Sequence, residues 1–219
     1  MTHTVDEIKN KNTLWNKYYT VYTPTILGSV MYNAHRQVLK RVMENLQLNK
    51  DTSILDLGCG QGSTLTSFRD WGYNNSIGID LSEKGIERCV ELGFELNKDV
   101  YLLDGTNTGW EDKKFQIVFS EGTLEHYTDF TPFVKEMTRL ADKYVIIVQP
   151  NHFALYSKII QFGWNMFRKN SGGVKELTYK FSEFYEEFAK HNFLMQSTKY
   201  TLLKENGVIV FERIVSDGE

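Results

Sequence analysis

Along the middle of the chain, short apolar runs alternate with stretches in which apolar residues recur every three or four positions. That alternation predicts βα units and a parallel sheet. The first run, Ser53-Ile54-Leu55-Asp56-Leu57, is ended by Gly58-Cys59-Gly60-Gln61-Gly62, and a helix is expected from near Ser63 to about Trp71. The second is Ser76-Ile77-Gly78-Ile79-Asp80. Ser82 then offers an N-cap, and Ile86, Cys89, Val90 and Leu92 form the apolar face of the helix it opens. Val100 to Leu103 is the third strand, stopped at Asp104-Gly105. Phe115 to Phe119 is the fourth, followed by a helix from about Pro132 to Leu140. The fifth, Tyr144 to Val148, stops at Gln149-Pro150-Asn151. These runs are often apolar on both faces, as strands covered by helices on both sides are.

The end of the chain reads differently. Phe181 to Lys190 has a helical pattern, and 194–203 and 208–214 read as strands joined through Glu205-Asn206-Gly207, where Asn-Gly is a turn signal. Strands so closely joined pair antiparallel, because a parallel pair needs a long crossover. The expected fold is therefore α/β: a seven-stranded, mostly parallel sheet with an antiparallel C-terminal hairpin and helices on both faces. Two segments lie outside it. Residues 1–48 contain an amphipathic helix with Val30, Ala34, Val38, Val42 and Leu46 on one face. Residues 152–178 are rich in aromatic side chains: Phe153, Tyr156, Phe162, Trp164 and Phe167. Together they are expected to cover the C-terminal edge of the sheet. The organisation is that of a single domain over 1–219, with an N-terminal helical cover (1–48), a ligand-binding core (49–151), a lid insertion after strand five (152–180) and a last helix with its hairpin (181–219).

Composition narrows the function. With 219 residues and a net charge of -3, the chain has no basic excess of the kind a nucleic-acid partner favours. Cys59 and Cys89 are the only cysteines, too few for a disulfide framework, so a cytoplasmic location is expected. No apolar run approaches the ~18 residues of a membrane span, and Met1 to Glu7 has no signal-peptide pattern. His3, His35, His152 and His191 show no metal-ligand spacing, and no metal is expected. Oligomeric state is not readable.

Parallel sheets bind ligands beyond the C-terminal ends of their strands, so the loop after the first strand comes first. Its glycines permit a tight turn and a close approach of ligand to backbone. A P-loop is excluded, since no Gly-Lys-Ser/Thr follows. Asp80, about 20 residues on, ends the second strand where an acid accepts from ribose hydroxyls. Asp104 ends the third, where a carboxylate could accept from an adenine amino group or simply cap a turn. Asp56 adds a negative charge before the first glycine that disfavours a pyrophosphate and favours an ammonium or sulfonium.

Ile54 to Gly62 closely resembles the first motif of class I, Rossmann-like S-adenosylmethionine-dependent methyltransferases. Asp80 with Leu81 resembles their ribose-binding acidic position, and Asp104-Gly105 their adenine-binding pair. Ser120-Glu121-Gly122-Thr123-Leu124-Glu125-His126 is similar to the "LEH" segment of the small-molecule, type 11/12-like branch. The resemblance covers about residues 50–150. It implies S-adenosylmethionine as cofactor, with S-adenosylhomocysteine as product. The binding residues it implies are Asp56, Gly58, Cys59, Gly60, Gly62, Asp80, Leu81, Asp104, Gly105 and Ser120. It also implies a small-molecule acceptor. Thr106-Asn107-Thr108-Gly109-Trp110 departs from the apolar, proline-containing stretch of many relatives, and Trp110 is a candidate cover for adenine. The Asn/Asp-Pro-Pro-aromatic clamp of amino-group methylases is absent.

Two residues are candidates for the reaction itself. His126 either takes a proton from the acceptor or supports the loop after strand four. Glu121, nearer the strand end, is placed to orient the acceptor. Three rival functions remain: an NAD-linked oxidoreductase on a related fold, a non-catalytic cofactor-binding protein, and transfer to a macromolecular acceptor, protein or RNA, which the acidic balance disfavours.

Overall fold

In the computed structural model, residues 12–19, 26–153, 176–201 and 204–214 are described, with side chains in the second stretch from 33 onward. The apolar runs become β1 (Ile54–Leu57), β2 (Ser76–Asp80), β3 (Val100–Leu102), β4 (Phe115–Glu121) and β5 (Ala141–Pro150). The last two are β6 (Phe193–Tyr200) and β7 (Asn206–Arg213), and the sheet order is β3-β2-β1-β4-β5-β7-β6. The first five strands pair in parallel, whereas β7 runs antiparallel to both β5 and β6. This is the expected seven-stranded α/β sheet with its antiparallel C-terminal hairpin.

Helices cover both faces. A short helix, α1, spans 12–19. It is followed by α2 (Ile26–Asn45), α3 (Ser63–Asp70), α4 (Glu83–Glu91), a 3-10 turn at Leu124–His126, α5 (Thr131–Leu140) and α6 (Phe181–Ala189). Successive strand residues point to opposite faces, so each central strand feeds two cores. Ile117, Phe119, Ile146 and Val148 pack with Leu39, Val42 and Met43 of α2 and Phe68 of α3. Val118, Val145 and Ile147 pack with Met137 of α5 and with Phe184 and Phe188 of α6. Thus α2 lies on a face of the sheet and contributes to its core. Both α1 and the polar pair His35-Arg36 of α2 reach the C-terminal strand ends.

Several boundaries differ from expectation for identifiable reasons. β4 continues to Glu121, where its partner is Val148, so the carboxylate is presented by strand rather than loop. Asn206 and Gly207 belong to β7 because the ladder claims them: Gly207 pairs with Gln149 and Tyr200, and Asn206 with Pro150. The hairpin turn therefore precedes the Asn-Gly pair, with Lys204 at φ 56°. On α4 the buried positions are Gly85, Ile86 and Cys89, while Val90 and Leu92 are 44% and 57% exposed. The neighbouring edge strand β3 is only three residues long and leaves little sheet to cover them. The α2 face also differs: His35, Arg36, Leu39 and Met43 are more buried than Ala34, Val38 or Leu46.

Phe153 is described and is 52% exposed. Tyr156, Phe162, Trp164 and Phe167, and with them residues 154–175 of the lid insertion, lie outside the described residues, as do Leu203, His3 and the side chain of Val30.

Candidate active site

The strand order reverses between β1 and β4, so the loops after these strands run apart and open a cleft. The glycine loop forms one wall. Gly58 and Cys59 donate their amides to the Ile79 carbonyl at 2.8 and 2.9 Å, tying the loop to β2. Gly58 and Gly60 have φ of 80° and 54°, in the left-handed region that favours glycine. Both are also closely approached: a Cβ on Gly58 would strike the Thr123 hydroxyl, and one on Gly60 the Tyr19 hydroxyl.

Two adjoining compartments result. The first, about 490 Å³ with its open mouth, is lined by Gly58, Asp80, Leu81, Gly105, Glu121 and, from α1, Trp15 and Tyr19, among others. The second, about 600 Å³, is lined by Asp56, Gly58, Cys59, Gly60, Thr64, Glu121 and Tyr19, among others. Gly58, Glu121 and Tyr19 border both.

Three acidic residues set the electrostatics. Asp80 accepts from the Gly60 amide at 2.8 Å and the Ser82 amide at 2.7 Å, joining the glycine loop to the start of α4. Burial pushes its carboxyl up to about 6, against the pull of these amides. Asp56 is buried, and its Oδ2 has no hydrogen-bond partner among the described residues. Burial and the charge of Glu121 push its carboxyl well above the usual range, while Arg36 pulls it down. Glu121 is held through Oε2 by the Thr64 hydroxyl at 3.0 Å, with Arg36 Nη1 at 3.9 Å, and through Oε1 by His35 Nδ1 at 3.4 Å.

Four of the expected residues stand back from the compartments. Gly62 is the N-cap of α3. Ser120 is fully buried and donates its hydroxyl to the Leu57 carbonyl at 2.8 Å, bracing β4 against β1. Asp104 Oδ1 accepts from the Thr106 amide and hydroxyl at 2.9 and 2.8 Å, the turn-capping arrangement. The ring of His126 packs edge-on against Trp15 with centroids 4.9 Å apart. Trp110 also stands away from the compartments, packed between Tyr101 and Phe115. Its loop is pinned there because Glu136 accepts from the Thr108 amide and hydroxyl, and Arg139 donates to the Trp110 carbonyl. Cys59 sits in an apolar cluster with Cys89, and a hydrogen bond to Cys89 together with burial raises its thiol, which disfavours the nucleophilic thiolate.

Two groups were not anticipated. From α1, the Asn16 side-chain Oδ1 accepts from the Ser82 hydroxyl at 2.7 Å and the Lys84 amide at 3.1 Å, holding Trp15 and Tyr19 over the cleft. From α2, the consecutive residues His35 and Arg36 reach Glu121 and the start of α3. The signals were present: aromatic residues at 15, 18 and 19, and a polar pair interrupting an amphipathic helix. Among the described residues, no three His, Cys, Asp or Glu side chains come together to hold a metal ion.

Residues 55–148 match the family model described as a methyltransferase domain. This segment is a methyltransferase domain, and the fold around it is that of the class I, Rossmann-like S-adenosylmethionine-dependent methyltransferases. Among solved structures, the chain resembles magnesium protoporphyrin IX methyltransferase from Synechocystis PCC 6803 with bound SAH. The TM-score is 0.68 at 18% identity, covering 94% of this chain and 95% of that one. Among curated proteins it is 26% identical over 118 residues to demethylmenaquinone methyltransferase of Staphylococcus saprophyticus, covering 51% of this chain and 49% of that protein. It is 32% identical over 95 residues to EEF1A lysine methyltransferase 2 of Danio rerio, covering 42% and 40%. The chain thus spans half or less of the length of these curated relatives.

Proposed function

We propose that the chain is a working methyltransferase that takes a methyl group from S-adenosylmethionine and transfers it to a small molecule. The observation that carries this reading is the pair of acids beside the glycine loop: Asp80 bordering one compartment, and Asp56 buried with an unpaired oxygen in the other. An unpaired buried carboxylate oxygen is costly, and an ammonium group relieves it. Asp80 keeps acceptor capacity for a ribose diol, since a carboxylate has about four lone-pair sites and two backbone amides occupy part of them. A pyrophosphate offers Asp56 no cation to pair with and would raise its carboxyl further, which weighs against a dinucleotide. Bound here, the cofactor supplies a sulfonium-activated methyl group.

The protein's own task is alignment and exclusion of water. Gly58, Gly60, Leu81 and Gly105 shape the walls, α1 closes them, and Glu121, held by three partners, orients the acceptor. Names of relatives include both small-molecule and protein acceptors. The choice of a small molecule rests on a cleft that α1 partly covers and on the absence of a basic excess. A cytoplasmic location fits the two free, buried cysteines. Among the described residues no helix is long and apolar enough to cross a membrane.

Calorimetric titration with S-adenosylhomocysteine, and with NAD as control, tests the cofactor; methyl transfer across an acceptor panel then tests the activity. Micromolar binding of the former alone is expected. Tighter binding of NAD would replace this reading with the oxidoreductase one. Binding without transfer would leave a cofactor-binding protein.

His126 takes the supporting role, because its ring bears on the α1 cover. An aromatic edge contact is worth about 0.5–1.5 kcal/mol. His126→Ala is therefore expected to weaken S-adenosylhomocysteine binding about 3- to 10-fold, with turnover at saturating cofactor nearly unchanged. A large fall in turnover at unchanged affinity would return the proton-accepting role to His126.

A further inference from the structure

Glu121 stands at the end of β4 and borders both compartments, with its side chain 24% exposed. Aromatic side chains of α1 border the same junction. Tyr19 lines both compartments, Trp15 the first and Tyr18 the second. The three rings contact one another, with centroids 5.3 to 6.0 Å apart. Among the described lining residues there are three carboxyl groups, those of Asp56, Asp80 and Glu121, and no lysine, arginine or histidine. Arg36 lies behind this wall. It is buried, donates to the Thr64 hydroxyl and carbonyl, and comes no nearer to Glu121 than 3.9 Å.

A carboxylate beside aromatic rings is a surface for a cation, since a ring attracts positive charge within about 6 Å of its centre. The buried, unpartnered Oδ2 of Asp56 marks the same preference in the second compartment. In the cofactor reading Asp56 meets the ammonium and Asp80 the ribose, which leaves Glu121 facing the point where the two compartments join. The reaction decides what charge Glu121 faces there afterwards. An alcohol or phenol must shed a proton and ends neutral, leaving the carboxylate opposite no cation. An anionic acceptor would meet Glu121 as a like charge. A nitrogen base takes the positive charge over from sulfur and keeps it beside Glu121.

We propose, resting on the methyltransferase reading above, that the methyl acceptor is an amine and that Glu121, with the rings of Trp15, Tyr18 and Tyr19, selects it by holding the positive charge its nitrogen acquires. An aliphatic amine loses its ammonium proton to water at the open mouth of the cleft and reacts as the free base. The nitrogen lone pair forms the bond to the methyl carbon, and the carbon–sulfur pair returns to sulfur as a neutral thioether. One positive charge thus moves from sulfur to nitrogen, and no proton moves in that step. The side chains lining the junction fit such a step, because Glu121 is already engaged on both oxygens by Thr64 and His35.

Protein loaded with S-adenosylhomocysteine and titrated with tetramethylammonium reproduces the charges of the product state. Amide NMR is expected to show this cation binding at least tenfold more tightly than tert-butanol, a neutral molecule of similar size. Glu121→Gln is expected to reduce that preference about tenfold. Trp15→Leu, a change on the covering helix, is expected to reduce it several-fold. Equal affinity for the two probes, or a preference that neither variant alters, would overturn the acceptor class and leave the methyltransferase reading standing. Failure of S-adenosylhomocysteine to bind would refute that reading, and the acceptor class with it. Over an acceptor panel in which amines, phenols and alcohols share carbon skeletons, the methyl group is expected on nitrogen. Transfer to phenol or alcohol oxygen without transfer to the matching amines would overturn the proposal.

Discussion

Asp80→Ala is expected to bind S-adenosylhomocysteine about 100-fold more weakly than the wild-type protein in titration calorimetry. Two losses add up. The carboxylate holds the Gly60 and Ser82 amides, so its removal frees the glycine loop and the start of α4 together. Its remaining lone pairs border the first compartment, where the ribose hydroxyls of the ligand would donate. Hydrogen bonds to a charged group contribute about 1.5–3 kcal/mol each, so losing the ribose contacts alone accounts for about 3 kcal/mol. Binding should also depend on pH. Burial raises the free carboxyl to about 6, whereas ribose hydroxyls favour the ionised form. Affinity is therefore expected to rise with pH through a step near 6, and this step should be missing from the profile of the variant. Equal affinities for variant and wild type would remove Asp80 from the cofactor site.

Much of this arrangement is legible in the chain because it is local. Glycines at 58, 60 and 62 after a buried run, and acids ending β2 and β3, follow from strand length and turn chemistry, and the structure places each at a C-terminal strand end or in the loop behind it. What a linear pattern does not hold is which side chains meet across it. His35 and Glu121 are 86 positions apart and meet only because α2 packs on the face of the sheet beneath β4. Asn16 and Ser82 come together through an eight-residue helix with no apolar stripe long enough to announce itself. Ser120 and Trp110 fail in the opposite sense. Each has the right residue type near the cleft, yet each is committed elsewhere, Ser120 to the Leu57 carbonyl and Trp110 to an aromatic cluster held by Glu136 and Arg139.

Glu125→Gln is expected to stabilise the protein at alkaline pH and to leave it unchanged near pH 4. Glu125 is 4% exposed, its Oε2 has no hydrogen-bond partner among the described residues, and its backbone carbonyl accepts from the Leu177 amide. Burial, reinforced by the charges of Glu176 and Glu121, pushes its carboxyl up to about 8. In the unfolded chain the same group titrates near 4.3. Between these values the folded state binds more protons than the unfolded state, so stability falls as pH rises. The neutral acid contributes its full share below about pH 4 and has lost it above about pH 8. Glutamine copies the shape of the neutral acid and does not titrate. Each unit of displacement corresponds to about 1.4 kcal/mol. Relaxation and entering water around a buried charge reduce the sum, so the expected gain at pH 8.5 is about 2 kcal/mol. For a chain of this length that is a rise in Tm of about 5 °C. Thermal unfolding of both proteins from pH 4 to pH 9 should show curves that coincide at the acid end, separate steadily up to about pH 8 and keep a constant gap above it. Curves that stay parallel would mean that the folded protein already accommodates a charged Glu125.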